Sequence, residues 1–232
     1  MTTRKIPFAT DEFYHIYNRG NSKQEIFLDD KDRDRFTKLL FLCNSNKNVN
    51  FRDDIVSQKI DAFDFNRGDT IVSIGAWVLM PNHFHLYLTN SPRCHLGEEA
   101  IPLFIKKLCT AYSMYFNKRH QRIGKLFEGS FKSVHVISNE QAKYLFSYIH
   151  LNPLKLIDPL WKESVVKNTN KFIEFLSKYK WGSYKDYNGI KRSENIIISR
   201  KDFPDYFNNQ ALFVEEVFDW LTTGSLGVTS GE

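Results

Sequence analysis

The sequence predicts an α+β sandwich in which helices pack on one face of a mainly antiparallel sheet. Aromatic residues alternate with other side chains over residues 13–17, which is typical of a half-buried strand. Residues 70–89 contain two apolar runs separated by Pro81-Asn82, which is typical of two strands joined by a turn. Apolar residues recur at three- and four-residue steps over residues 98–119 and again over residues 140–152, which indicates two amphipathic helices.

Capping and helix-breaking residues mark the remaining elements. Asp29 suits the N-terminus of one helix, and Ser138 suits the N-cap of a later helix that Pro153 ends. Residues 44–69 are polar and irregular, and we expect an insertion or long loop there, with a short strand at residues 60–65. The other predicted elements are a helix over residues 31–43, one or two short strands up to Val136, a helix over residues 170–179, an aromatic turn over residues 181–187, a helix over residues 211–221, and a frayed tail from Thr222.

The composition indicates a packed globular protein of one large domain, or of one domain with an extension. The 232 residues are 42% hydrophobic and 15% aromatic. No apolar run approaches the roughly 18–20 residues of a membrane span, and the N-terminus lacks the apolar stretch of a secretory signal. Cys43, Cys94 and Cys109 are an odd number without metal-ligand spacing, which suits free thiols in a reducing compartment. We therefore expect a cytoplasmic protein.

The positive charge of the chain is concentrated in one block. The net charge is +5. Residues 105–135 hold one acidic residue, Glu128, and these basic residues: Lys106, Lys107, Lys118, Arg119, Arg122, Lys125 and Lys132. Such a local excess is typical of a protein that binds a polyanion, and it is equally typical of a solvated helix face.

A histidine pair opens the second strand of the predicted hairpin. Because side chains alternate along a strand, His83 and His85 project from one face and Phe84 enters the core behind them. Two imidazoles on one face make half of a divalent-metal site. Oxygen-rich surroundings would favour Mg²⁺ or Mn²⁺, whereas thiolates would favour Zn²⁺, and no cysteine is suitably placed in the sequence.

The helix over residues 140–152 offers the missing partners of this half-site. Tyr148 and Asn152 are four residues apart, so they share a helical face and lie about 6 Å apart along the axis. If this face packs beside the histidines, the Asn152 carbonyl can complete the site and the Tyr148 phenol can attack a metal-bound phosphate. Tyr144 lies one turn earlier and is a rival nucleophile or a packing residue, whereas His150 should point away from the site.

The histidine pair and the Tyr148–Asn152 helix belong to a set of five motifs. In chain order, the set consists of residues 17–20, 77–85, 124–133, 148–155 and 181–187. Taken together, these five motifs resemble the IS200-like single-tyrosine (HUH) transposases, and most closely their REP-associated branch. The resemblance covers roughly residues 10–190.

The resemblance carries expectations about architecture and activity. It implies a ferredoxin-like nuclease domain over residues 1–190, with an insertion at residues 44–69, and we expect residues 191–232 to form a helical C-terminal extension. It also implies a metal-dependent DNA transposase, with Mg²⁺ or Mn²⁺ as the ion, that cuts and rejoins single-stranded DNA near hairpins. The dimer of compact family members does not carry over to this longer chain, so monomer and homodimer both stay open.

The same resemblance implies roles for individual residues. His83 and His85 are the implied metal ligands, with Asn152 as the third. Tyr148 is the implied nucleophile, which forms a 5′-phosphotyrosine and releases a 3′-hydroxyl. Compact members carry glutamine where this chain has the shorter Asn152, so the third ligand departs from their pattern.

Two further groups of residues and two alternative functions complete the predictions. The basic residues expected to contact DNA phosphates are Arg19, Arg122, Lys125 and Lys132. The histidines expected to be surface or core residues are His15, His95, His120 and His135. The first alternative function is a hairpin-binding protein whose cleavage activity has lapsed. The second is an unrelated metal-dependent hydrolase that uses the histidines alone.

Overall fold

The structure is a computed structural model that describes residues 7–161, 169–204 and 210–223. Its strands are β1 (Phe13–Arg19), β2 (Val72–Met80), β3 (His83–Asn90) and β4 (Lys132–Val136). Its α-helices are α1 (Asp30–Leu42), α2 (Ala100–Arg119), α3 (Asn139–Leu151), α4 (Thr169–Lys178), α5 (Tyr184–Tyr187) and α6 (Gln210–Thr223).

The four strands form one antiparallel sheet with the order β2-β3-β1-β4. The first six elements follow the chain order β1-α1-β2-β3-α2-β4, which is the arrangement of a ferredoxin-like sandwich. The predicted α+β class and its antiparallel sheet are thereby confirmed. The two central strands are β3 and β1, and their register places Arg19 opposite His83 and Tyr17 opposite His85.

Helices cover both faces of the sheet, so the expectation of helices on one face is wrong. On the first face, Ile16, Phe84 and Leu86 belong to a core shared with α1 and α2. On the second face, Val78 and Tyr87 belong to a core shared with α3, α4 and α6. The sequence of β2 was consistent with this, because Ser73 is its one polar residue and all nine of its residues are buried.

Local hydrogen bonds explain where the helices begin. The Asp29 side chain accepts from the backbone N–H groups of Lys31 and Asp32, and so caps α1. The Ser138 hydroxyl accepts from the N–H of Gln141 and caps α3. Both caps agree with the sequence prediction. Residues 120–131 lead from α2 into the single strand β4, where the sequence predicts one or two strands.

Residues 44–69 contain turns rather than the short strand predicted at residues 60–65. A π-type turn spans Phe51–Val56 and a 3₁₀ turn spans Ala62–Asp64. The strand prediction fails because the Asp61 carboxylate accepts from the N–H of Phe63, which favours a capped turn over an extended chain.

The C-terminal helices close the second face of the sheet. Phe213 of α6 is buried against Phe146 and His150 of α3, with ring-centroid distances of 5.7 and 5.1 Å. The tail predicted to fray from Thr222 falls mainly on residues 224–232, which lie outside the described residues. Within the described ranges, no helix combines the length and apolar character that a membrane crossing requires.

Candidate active site

The central strands bring three imidazoles together on the second face of the sheet. The rings of His83 and His85 lie 4.9 Å apart. His15 of β1 joins them, with its Nε2 2.8 Å from Nδ1 of His85. Phe84 points the other way, is fully buried, and packs 5.0 Å from Phe36 of α1. The strand alternation that the sequence predicts is therefore present.

A hydrogen bond fixes the ring orientation of His83. Nδ1 of His83 lies 2.6 Å from Oδ1 of Asn82, and the other end of that amide donates to the carbonyl of Lys23 at 3.2 Å. Because an amide oxygen only accepts, Nδ1 of His83 carries the proton and donates it. Nε2 of His83 is then the ring nitrogen with a lone pair suited to a metal.

Helix α3 places Tyr148 beside the histidines. The Tyr148 ring lies 5.3 Å from the His85 ring and 6.2 Å from the His15 ring, edge-on in both cases. Tyr144 stacks on Tyr148 at 6.1 Å with an interplanar angle of 9°. The shared helical face predicted for the two tyrosines is thus present, and it is directed at the histidines.

Tyr148 is buried, with 2% of its surface exposed. The ammonium of Lys155 lies 5.7 Å from the centre of its ring. Lys155, His83 and His85 all line an adjacent cleft of about 510 Å³, whereas Tyr148 is not among the lining residues. The histidines and Lys155 therefore line the cleft, and the tyrosine lies next to them without lining it.

The cleft carries positive charge. Its basic lining residues are Arg19, Lys23, Lys132 and Lys155. Glu128 supplies the acidic side chain of the lining and forms a two-point ion pair with Arg19. The hydrogen bond from Arg19 lowers the pKa of Glu128 from its ordinary value, so the carboxylate stays charged at neutral pH. The excess of cations suits a phosphate backbone.

Asn152 is a buried amide whose polar atoms are not satisfied. It is fully buried, and neither Oδ1 nor Nδ2 has a hydrogen-bond partner in the part of the chain that the structure describes. An unsatisfied buried polar group costs about 1–3 kcal/mol, so such an amide in a native protein calls for an explanation. An oxygen ligand to a cation is one such explanation, and two imidazoles with one amide oxygen form a donor set compatible with Mg²⁺ or Mn²⁺.

The side chains of acids, cysteines and histidines do not by themselves make a metal site here. Across the described ranges, no group of three or more His, Cys, Asp or Glu side chains is arranged to hold an ion. A site at His83 and His85 therefore depends on an amide oxygen or on ligand oxygens for its remaining positions.

The predicted basic block does not form one surface. Lys132 and Arg19 line the cleft, whereas Arg122 donates to Gln24 at 2.7 Å and neither Arg122 nor Lys125 is among the lining residues. Helix α2 packs on the first face of the sheet, so its basic residues lie on the other side from the histidines. The basic residues of α2 also have local roles: Lys107 donates to the carbonyls of Ser45 and Lys47, and Arg119 pairs with Asp29 and Asp32.

Sequence reasoning missed His15, Lys23 and Lys155. A signal existed for His15, because it shares one strand face with Tyr17 and Arg19, and Arg19 was already a candidate. Lys155 follows three residues after Asn152 and belongs to the same motif. No signal pointed to Lys23, which reaches the cleft through the turn at Asn21–Lys23.

His150 lies on the side of α3 that faces away from the cleft, as predicted. It is fully buried, its Nδ1 donates to the carbonyl of Phe146 at 2.8 Å, and its Nε2 accepts from the hydroxyl of Ser183 at 2.8 Å. Burial lowers the pKa of His150 to about 3, so the ring stays neutral. Its role is to join α3 to the segment that leads into α5.

The comparisons with known proteins find distant structural neighbours. The sequence matches no protein-family model and no curated protein. The chain is similar to a solved REP-associated tyrosine transposase bound to a REP hairpin, with 12% identity, a TM-score of 0.48, and coverage of 84% of this chain and 90% of that one. It is also similar to a protein of Deinococcus radiodurans R1 classed as a candidate transposase, with 19% identity, a TM-score of 0.33, and coverage of 64% and 95%. Neither neighbour assigns a role to any residue of this chain.

Proposed function

We propose that this chain is a metal-dependent DNA transposase that cuts and rejoins single-stranded DNA near hairpins through a 5′-phosphotyrosine on Tyr148. One observation carries the proposal: the Tyr148 ring lies 5.3 Å from His85, on the sheet face that also holds His83. The five ordered motifs of the sequence, with their resemblance to REP-associated tyrosine transposases, support the same conclusion.

Two imidazoles and an amide oxygen are donor types that suit a divalent cation. Nε2 of His83, Nε2 of His85 and Oδ1 of Asn152 would hold Mg²⁺ or Mn²⁺, and the orphaned Asn152 amide supports this donor set. When bound, the ion would supply Lewis-acid polarisation of the scissile phosphate.

The reaction is a transfer of one phosphodiester bond. The Tyr148 hydroxyl loses its proton and attacks phosphorus, the bond to the 3′ oxygen breaks, and that oxygen leaves as a hydroxyl after gaining a proton. The new phosphotyrosine ester keeps the energy of the broken bond. The released 3′-hydroxyl can therefore reverse the reaction without ATP.

Lys155 lies close to both the cleft and the proposed nucleophile. It lines the cleft, and its ammonium lies 5.7 Å from the Tyr148 ring. A backbone phosphate attracted by Lys155 would be brought to the tyrosine, while Arg19 and Lys132 would bind neighbouring phosphates. These contacts position the strand and do not read its sequence.

A cleavage assay tests the proposal. The protein is incubated with Mg²⁺ or Mn²⁺ and a 3′-labelled single-stranded oligonucleotide that spans the hairpins flanking its own gene. We expect a covalent protein–DNA adduct that Tyr148→Phe abolishes and that the matched control Tyr144→Phe retains. An adduct that survives Tyr148→Phe would overturn the assignment of the nucleophile.

A second candidate function is hairpin binding without cleavage. The 2% exposure of Tyr148 and its position outside the cleft lining favour this candidate. Hairpin binding with no adduct under either ion would support it. Turnover of a small phosphoester that is unaffected by Tyr148→Phe would instead support a hydrolase that uses the histidines alone.

A further inference from the structure

We infer that His15 is a positioning residue that holds His85 in the tautomer able to bind a metal through Nε2. This inference rests on the proposed function, because it concerns the same metal site. The feature that carries it is the hydrogen bond between Nε2 of His15 and Nδ1 of His85, at 2.8 Å.

The position of His15 follows from the strand register. Tyr17 lies opposite His85 and His15 lies opposite Tyr87, so His15 and His85 are diagonal neighbours on one sheet face. Their rings lie 5.0 Å apart at an interplanar angle of 25°. The paired strands hold both backbones in place, and the hydrogen bond between the two rings restricts rotation of the His85 ring.

The bond can be made in two ways, and they have opposite consequences. If Nε2–H of His15 donates, Nδ1 of His85 is the acceptor and the proton of a neutral His85 ring sits on Nε2, where it blocks a metal. If Nδ1–H of His85 donates, Nε2 of His85 keeps its lone pair and can bind the ion. Metal binding at Nε2 therefore requires His15 to be the acceptor.

The two ligand histidines are supported differently. His83 bonds to the Asn82 amide oxygen, which can only accept, so its tautomer is fixed whether or not a metal is bound. His85 bonds to an imidazole, which can donate or accept. His15 also meets the Tyr148 ring edge-on at 6.2 Å. One side chain thus contacts both the metal-binding ring and the tyrosine, which makes its orientation important to the whole site.

Mn²⁺ binding to the full chain tests the inference without an activity measurement. Replacing a group that supports a metal-bound histidine typically lowers metal affinity by about 10- to 100-fold. We expect that loss for His15→Phe, which keeps an aromatic ring but cannot accept. We expect His15→Gln to restore binding to within about threefold of wild type, because its amide oxygen accepts. Isothermal titration calorimetry gives the affinities, and thermal unfolding checks each variant, with His15→Leu used if His15→Phe does not fold.

The matched control is His135→Phe. His135 also lies on a strand, bonds to Glu12 at 2.8 Å and stacks on Tyr14 at 5.1 Å, on the first face of the sheet. We expect this variant to bind Mn²⁺ as wild type does. A loss as large as that of His15→Phe would overturn the inference, because the effect would not be specific to the second face.

Imidazole ¹⁵N spectra of the metal-free protein give a second, independent measure. We expect His85 to carry its proton on Nδ1 in wild type and to shift toward the Nε2–H form in His15→Phe. An Nε2–H form in wild type, or unchanged Mn²⁺ affinity in His15→Phe while His85→Ala loses binding, would overturn the role of His15 alone. Absent Mn²⁺ binding in wild type, or binding unaffected by His85→Ala, would overturn the metal site of the proposed function as well.

Discussion

At the scale of single residues, two histidines of similar burial lie in different surroundings. His85 faces the cleft, whereas His150 lies in the core between α3 and Ser183. Burial lowers the pKa of His150 from 6.5 to about 3, so the unfolded chain binds a proton at a pH where the folded protein does not. The stability contributed by His150 is therefore complete above about pH 6.5 and is lost as the pH falls toward 3.

This pKa leads to a prediction for His150→Gln. The amide keeps a donor and an acceptor but does not titrate, so we expect the variant to be less stable than wild type near pH 7.5. The difference in unfolding free energy should shrink as the pH falls to about 4, because the protonation penalty of wild type grows over that range. Urea unfolding at a series of pH values measures it. A difference that stays constant with pH would show that His150 does not titrate as inferred.

A second prediction at the residue scale concerns the cleft lysines. We expect Lys132→Met and Lys155→Met each to weaken the binding of hairpin DNA by a factor that does not depend on the DNA sequence. Each should also reduce the magnitude of the slope of log affinity against log salt concentration by about 1. The control is Lys106→Met, because Lys106 is exposed on α2 at the other face of the sheet. Fluorescence anisotropy at several salt concentrations gives the slopes. An equal loss for Lys106→Met would contradict binding of the DNA at the cleft on the second face of the sheet.

The sequence allowed some of these residues to be predicted and not others. Strand alternation was enough to place His83 and His85 on one face and Phe84 on the other. His15 could not be paired with His85, because the two are 70 residues apart and the register between β1 and β3 is set by tertiary contacts. Net charge was misleading for Lys107 and Arg119, which bond locally within the fold.

At the scale of elements, periodicity predicted α1, α2, α3, α4 and α6, because each has buried apolar residues at helical spacing. It did not predict α5, a helix of four residues at Tyr184–Tyr187 within the segment expected to be a turn. The strand wrongly predicted at residues 60–65 shows the limit of this method, since the Asp61 cap decides that segment and leaves no periodic signal. The second helical layer could have been foreseen from β2, which has one polar residue, Ser73, and so no polar face to turn toward water.

Helix α6 offers a prediction at this scale. Phe213 is buried among Phe146, Tyr184 and Tyr187, with ring distances of 5.7, 5.3 and 5.5 Å. We expect Phe213→Ala to destabilise the protein by about 3–5 kcal/mol, because it leaves a cavity under α3. The matched control is Val214→Ala on the exposed side of α6, which should cost less than about 1 kcal/mol.

Denaturant unfolding of the two α6 variants measures both values. Equal and small effects would mean that α6 does not support α3.

At the scale of the whole molecule, the site depends on a layer that sequence periodicity cannot position. Tyr148 meets His85 because α3 follows β4 and returns over the second face of the sheet, where β1 and β3 present their histidines. The residue patterns could not predict that Tyr148 would pack beside His85. That expectation came from the family resemblance. Neither of them predicted that Tyr148 would be buried with Lys155 close to its ring.

The most direct test of the central claim is to locate the DNA on the protein. Wild type is incubated with Mn²⁺ and the hairpin oligonucleotide, digested with nuclease and protease, and its peptides are sequenced by mass spectrometry. We expect a nucleotide mass on Tyr148, joined through a 5′ phosphate. A nucleotide on Tyr144, or cleaved DNA with no modified peptide, would contradict the account.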